Sequence, residues 1–214
     1  MKNLGFIAIF LIFSCILAFS QTTVDGPQAE RIGVDSAQQN LQEIAVDKFE
    51  DAGFWEVAMP IDSGIITYRR LAGGPADKNP IEEEEELGIQ QPDQFVIGVK
   101  AQFFRRGDAA FTVKPVRPIP IPGITKTISV WVVGRNTKHR LVLNIQDHFG
   151  NKAQLNMGTL NFSGWKELTV AIPPSITQRD YHYINKMGLK VTGFTIETDM
   201  METYGSYYIY FDGL

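Results

Sequence analysis

Residues 127–157 read TISVWVVGRNTKHRLVLNIQDHFGNKAQLNM, and the alternation inside this stretch decides the fold. Successive side chains of a strand point to opposite faces. Ile128, Val130 and Val132 therefore share one side of the first run, with Trp131 and Val133 on the other. Leu141, Leu143 and Ile145 then alternate with Val142, Asn144 and Gln146. Asp147-His148-Phe149-Gly150-Asn151 has the chemistry of a hairpin connection, with Gly150 supplying a positive φ. Ala153, Leu155 and Met157 continue the return strand.

The same period recurs on both sides. Leu168, Val170 and Ile172 alternate until Pro173-Pro174, where the missing N–H ends a ladder. Phe194–Thr198 and Ser206–Phe211 are the last two strands. Upstream, Gln94–Phe104 places Phe95, Ile97, Val99, Ala101 and Phe103 on one face, and Ile65–Tyr68 is a shorter candidate. Roughly eight to ten short strands with no long helical pattern between them predict an all-β fold, an antiparallel β-sandwich or jelly roll.

The first twenty residues have a different character. Lys2 precedes an apolar run from Leu4 to Phe19, and Ala18-Phe19-Ser20 puts small residues around a cut before Gln21. That is the layout of a cleaved secretory signal peptide at 1–20. It predicts export, and a mature chain without the single cysteine, Cys15, so neither disulfides nor a thiolate metal site. Residues 21–45 are expected to form an N-terminal arm, with a short helix over Ser36–Ile44 capped by Asp35 or Ser36. Residues 46–214 are the sandwich domain. The formal net charge of −4 argues against the basic face of a nucleic-acid binder. No segment after the leader is apolar enough to span a bilayer.

Two loops stand out. Pro75–Pro92 contains five consecutive acids, Glu82–Glu86, which read as a solvated run or as a dock for a basic partner. Prolines at 115, 118, 120 and 122 read as a stiff crossover between sheets. Gly158, Gly164 and Gly193 are expected at bulges or close approaches, where a side chain would collide with the facing strand. Trp55, Trp131 and Trp165 are expected as buried plates of the core; the functional alternative is stacking on sugars or on a neighbouring protein. His139, His148 and His182 fall in or beside turns without metal-ligand spacing and read as surface residues. Ser163 lacks a nucleophile elbow, and Asn161-Phe162-Ser163 matches a glycosylation acceptor. No catalytic, cofactor-binding or metal-binding residues are assigned, and the chain reads as a non-enzyme.

Several of these pieces occur together in one known family. Ser129–Arg135, His139–Leu143, Asp147–Gly150, Met157–Lys166, Val170–Pro173, Phe194–Asp199 and Tyr208–Asp212 resemble, in order, the flagellar filament outer layer (sheath) proteins of spirochaetes. Phe49-Glu50-Asp51 before Trp55 and Ile97–Lys100 before Phe103 also fit, so the resemblance covers 46–214. It implies a structural component of the periplasmic flagellar filament, coating a flagellin core beside other sheath proteins, with lateral self-association. It further implies a role in filament curvature, stiffness and motility. The alternative is a periplasmic carbohydrate-binding β-sandwich module. Sandwiches of that kind bring first and last strands together, where Glu50, Asp51 and Asp212 would either hold a structural Ca2+ or simply cap strand ends.

Overall fold

A computed structural model describes residues 42–79, 93–180, 182 and 187–214. Among them the chain forms eleven strands and one short 3-10 turn (Ala52–Phe54). The strands are β1 (Trp55–Ala58), β2 (Gly64–Ala72), β3 (Phe95–Phe103), β4 (Ala110–Pro115), β5 (Ile119–Pro122) and β6 (Thr127–Arg135). They continue as β7 (Arg140–Gln146), β8 (Lys152–Thr159), β9 (Ser163–Ala171), β10 (Gly188–Glu197) and β11 (Gly205–Asp212). One antiparallel sheet runs β1-β4-β10-β7-β8, with β5 also against β10; the second runs β2-β3-β11-β6-β9. The expected antiparallel sandwich is the observed architecture. The leader 1–20, the helix at 36–44 apart from its last residues, and Glu82–Glu86 lie outside the described residues; 42–45 carry no regular structure.

Burial follows the alternation. Ile97, Val99, Ala101 and Phe103 of β3, Ile128, Val130 and Val132 of β6, and Leu141, Leu143 and Ile145 of β7 all face inward. With the inward residues of β10 and β11 they form one apolar cluster between the sheets. Each valine, leucine, isoleucine or phenylalanine among them contributes about 1.5–3 kcal/mol on leaving water, before its ordering entropy is counted.

Four fully buried rings close a cycle within that cluster. Phe49 stacks on Trp55 at 4.6 Å, Trp55 meets Phe194 at 6.2 Å, Phe194 meets Phe211 at 5.4 Å, and Phe211 returns to Phe49 at 6.1 Å. Phe49 reaches its place with φ at 58°, a left-handed conformation that bulky residues rarely adopt. Asp47 holds this turn: its Oδ1 accepts the Phe49 N–H at 2.6 Å. The Asp47 backbone also exchanges hydrogen bonds with Leu214, at 3.1 and 2.8 Å. Burial raises the Asp47 carboxyl pKa, and the Phe49 N–H opposes the shift.

The proline segment is more than a connector. Ile119–Pro122 is a strand, paired with Val191 to Gly188. Only Ile119 and Ile121 have an N–H to give, so the prolines turn away from β10 and the outer side of β5 offers no donors. Proline is tolerated in a sheet only at such an edge. Where β4 gives way to β5, β10 shifts register between Val191 and Gly193. Gly193 has φ of 129°, and a Cβ there would lie 2.5 Å from Val113 O and 2.7 Å from Lys114 Cα. The expected collision is real at Gly193. At Gly158 and Gly164 a Cβ would meet nothing within 4 Å, and positive φ values of 129° and 82° are what favour glycine.

Candidate functional site

Because β11 turns Tyr207, Ile209 and Phe211 inward, Tyr208 and Tyr210 stand on the outer face of the five-stranded sheet, half-buried. The neighbouring strands add to the same face. Lys100 lies opposite Tyr208 and Gly98 opposite Tyr210 on β3; Arg69 lies opposite Gly98 on β2. On the other side Asp212 faces Trp131, and β9 sets Glu167 opposite Trp131 and Trp165 opposite Val133. Two tryptophans and two tyrosines thus share one open surface with Arg69, Lys100 and Arg135.

Cations order the rings. The Arg135 guanidinium lies 5.5 Å from the Tyr208 ring centre and 5.7 Å from that of Tyr210, and the Lys100 ammonium is 5.5 Å from Tyr208. These are attractive cation–π distances. Gly98 makes room for Tyr210: a Cβ there would lie 2.9 Å from the ring and 2.8 Å from Leu71 Cδ1. At the end of the face Asp212 is buried, with Lys78 Nζ 3.2 Å away and itself 2.8 Å from Asp93. Burial raises the Asp212 pKa, and Lys78 opposes it.

This surface corrects the reading of two tryptophans. Trp55 is fully buried, but Trp131 and Trp165 are half-buried on the outer face. β6 buries its even-numbered residues, so Trp131 falls outside by parity, and Trp165 follows through its pairing with Val133.

The histidine reading is also corrected at one position. His148 is half-buried and His182 exposed, but His139 is fully buried. Its Nδ1 accepts the Asp199 N–H at 3.0 Å, and its ring meets Tyr207 edge-on at 4.6 Å. It anchors the loop whose Met200, Met201 and Tyr204 are exposed. Burial lowers the His139 pKa below 6.5, with Glu202 and Asp199 pulling upward. The unfolded chain therefore takes up this proton first. The stability His139 contributes is intact above about pH 6.5 and is lost as pH falls through that value toward the lower folded pKa. We expect the unfolding midpoint of the wild type to fall more steeply than that of His139→Asn between neutral and mildly acidic pH. The asparagine keeps an acceptor for Asp199 without titrating. Asp47 and Asp212 act with the opposite sign in both proteins, so parallel curves would show that His139 is not the titrating group.

The three acids weighed for Ca2+ have separate partners. Glu50 Oε1 accepts the N–H groups of Gln94 and Phe95 at 2.6 and 2.8 Å, Asp51 accepts that of Gly53 at 2.8 Å, and Asp212 meets Lys78. Among the described residues no group of three or more His, Cys, Asp or Glu is placed to hold a metal. Asn161 and Ser163 are exposed where β8 turns into β9. The residues that sequence reasoning missed are Lys100, Arg135, Tyr208 and Tyr210. Their signal was the position of each out of phase with an inward set.

The family described as "Flagellar filament outer layer protein Flaa" matches residues 18–214. A flagellar filament outer layer-like protein of Brachyspira hyodysenteriae is 39% identical over 169 residues, spanning 79% of this chain and 75% of that protein. A flagellar filament outer layer protein of Spirochaeta aurantia is 44% identical over 46 residues, 22% of this chain and 14% of that protein. Among solved structures, a family 11 carbohydrate-binding module from Clostridium thermocellum aligns with a TM-score of 0.42 at 12% identity, covering 79% of this chain and 91% of the module.

Proposed function

We propose, from the premise that this chain belongs to the flagellar filament outer layer protein family, that it is a structural subunit of the periplasmic flagellar coat, not an enzyme. In this reading the outer face of the five-stranded sheet contacts the flagellin core or adjoining coat proteins. The observation that supports it is the open aromatic face itself. Trp131, Trp165, Tyr208 and Tyr210 lie on a sheet surface without a covering layer among the described residues, beside Arg69, Lys100 and Arg135. Aromatic residues and arginine are the types that concentrate binding energy at protein interfaces. A repeated contact of this kind around a filament would set its curvature and stiffness.

Mass spectrometry of purified periplasmic flagella tests the assignment: the chain should co-purify with flagellin. Trp165→Ala combined with Tyr208→Ala should weaken that association at least tenfold, read as the fraction retained on sedimented filaments, with the folded state intact by circular dichroism. A deletion strain should make filaments that are straighter or softer and swim poorly. Filaments of unchanged shape with normal swimming would remove the role.

The same face favours a second reading, a carbohydrate-binding module, since indole and phenol rings on a sheet surface also stack on sugars. Calorimetry of the purified protein against glycans separates the two. Glycan binding without flagellin co-purification would favour the module.

A further inference from the structure

We propose that the two edges of the five-stranded sheet, β9 and β2, pair with each other between copies of this chain, so that the sheet continues from one subunit into the next. The proposal deepens the coat reading and rests on it for its setting, not for its geometry.

The contrast between the two sheets is the first ground. An unpaired edge is a template for another chain unless it is blunted. The six-stranded sheet blunts its edges: β1 has four residues, β5 carries Pro120 and Pro122, and β8 is interrupted by a register shift opposite Leu141 and Val142. The edges of the five-stranded sheet carry charges, Arg69 and Arg70 on β2 and Lys166 and Glu167 on β9, but they are long and regular. β2 pairs with β3 over nine residues without a shift, and β9 pairs with β6 over nine residues without a shift. Neither β2 nor β9 contains proline, and among the described residues no backbone hydrogen bond reaches the far side of either.

Direction and charge select the partner. Every neighbouring pair in this sheet is antiparallel, so β2 and β9, four steps apart, run the same way. A β9-to-β2 contact between equally oriented copies is therefore a parallel ladder. Such a contact joins two different surfaces and, unless the rotation between copies closes a ring, stays open to further addition. The charged side chains of β2 are Arg69 and Arg70, with no acid in 64–72, so pairing β2 with itself about a two-fold would gather four arginines with no acid to offset them. β9 presents Glu167 on the outer face, and neither Glu167 nor Arg69 has an ion-pair partner among the described residues. The register that places Glu167 opposite Arg69 also places Trp165 beside Thr67 and Ser163 beside Ile65 on the same face. It sets Lys166 beside Tyr68 on the other. The aromatic surface would then run unbroken from subunit to subunit.

The test uses Ser163→Cys and Ile65→Cys in a Cys15→Ser background, two exposed positions that this register brings together. With a short bis-maleimide, purified protein carrying both should give a ladder of covalent multimers. Each single variant should stay monomeric, and a mixture of the two should stop at dimers. Arg69→Glu should cut ladder formation about tenfold, and adding Glu167→Arg should restore it. Monomer alone from the double variant, or dimers from either single variant, would overturn the proposal. A ladder without flagellin co-purification would remove only the coat reading; co-purification without a ladder would remove only the edge pairing.

Discussion

Trp55→Ala is expected to lower the unfolding free energy by about 3–5 kcal/mol, as large-to-small changes at buried aromatic positions do. A domain of this size holds roughly 5–15 kcal/mol in total. The loss would be near the upper end because the cavity resists collapse. The Trp55 indole lies against Phe49 at 4.6 Å, Phe54 at 6.3 Å and Phe194 at 6.2 Å. Phe49 is held by the left-handed turn that Asp47 fixes and has little freedom to follow. Trp55→Phe keeps a ring in the stack but leaves part of the indole's volume empty, and should cost less, about 1–3 kcal/mol. Trp131→Ala and Trp165→Ala, half-buried on the outer face, should each cost less, about 1–3 kcal/mol. Urea unfolding followed by far-ultraviolet circular dichroism reads all four. Equal losses at Trp55 and Trp131 would contradict the assignment of faces.

A comparable loss, about 2–5 kcal/mol, is expected from Gly193→Ala, where two separate penalties combine. The backbone at φ 129° is one that L side chains rarely adopt, and the added methyl would drive into Val113 O and Lys114 Cα. Both obstacles are backbone of β4, so relief requires moving the strand. Gly158→Ala, also at φ 129° but in open space, separates the two effects and should lose only the conformational part, about 1–3 kcal/mol. The check is the difference in urea midpoints, with amide exchange along β4 and β10. Equal losses at both sites would show that the close approach carries no weight.

Most of the sandwich was legible because half-buried strands advertise themselves by a period of two. β3, β6, β7 and β11 were readable that way, and the hairpin at Asp147–Asn151 by its turn chemistry, with Gly150 at φ 93°. β1 and β4 were not read as strands: their runs of four and six residues leave few alternations to see. Prolines hid β5, because the residue that usually forbids pairing was at an edge.

The candidate site was less legible for a different reason. On β6 both faces carry large apolar residues, so alternation shows that two faces exist without saying which one meets the other sheet. Size then favoured Trp131 as core, and tertiary pairing decided otherwise. His139 is the opposite case. It lies in phase with Leu141, Leu143 and Ile145, and that parity marked it as inward even beside a turn.

One further consequence follows from the position of β11. It is the latest of the eleven strands in the chain, yet it is seated between β3 and β6 at the middle of its sheet. Phe211, near its end, completes the ring contacts of Phe49, more than 150 residues earlier. A nascent chain on the ribosome therefore has no way to close this sheet until residues 205–214 have emerged. Such distant pairings place a protein among the slow folders, on millisecond-to-second timescales. The five-stranded sheet can settle only after its central strand, made late, is on hand.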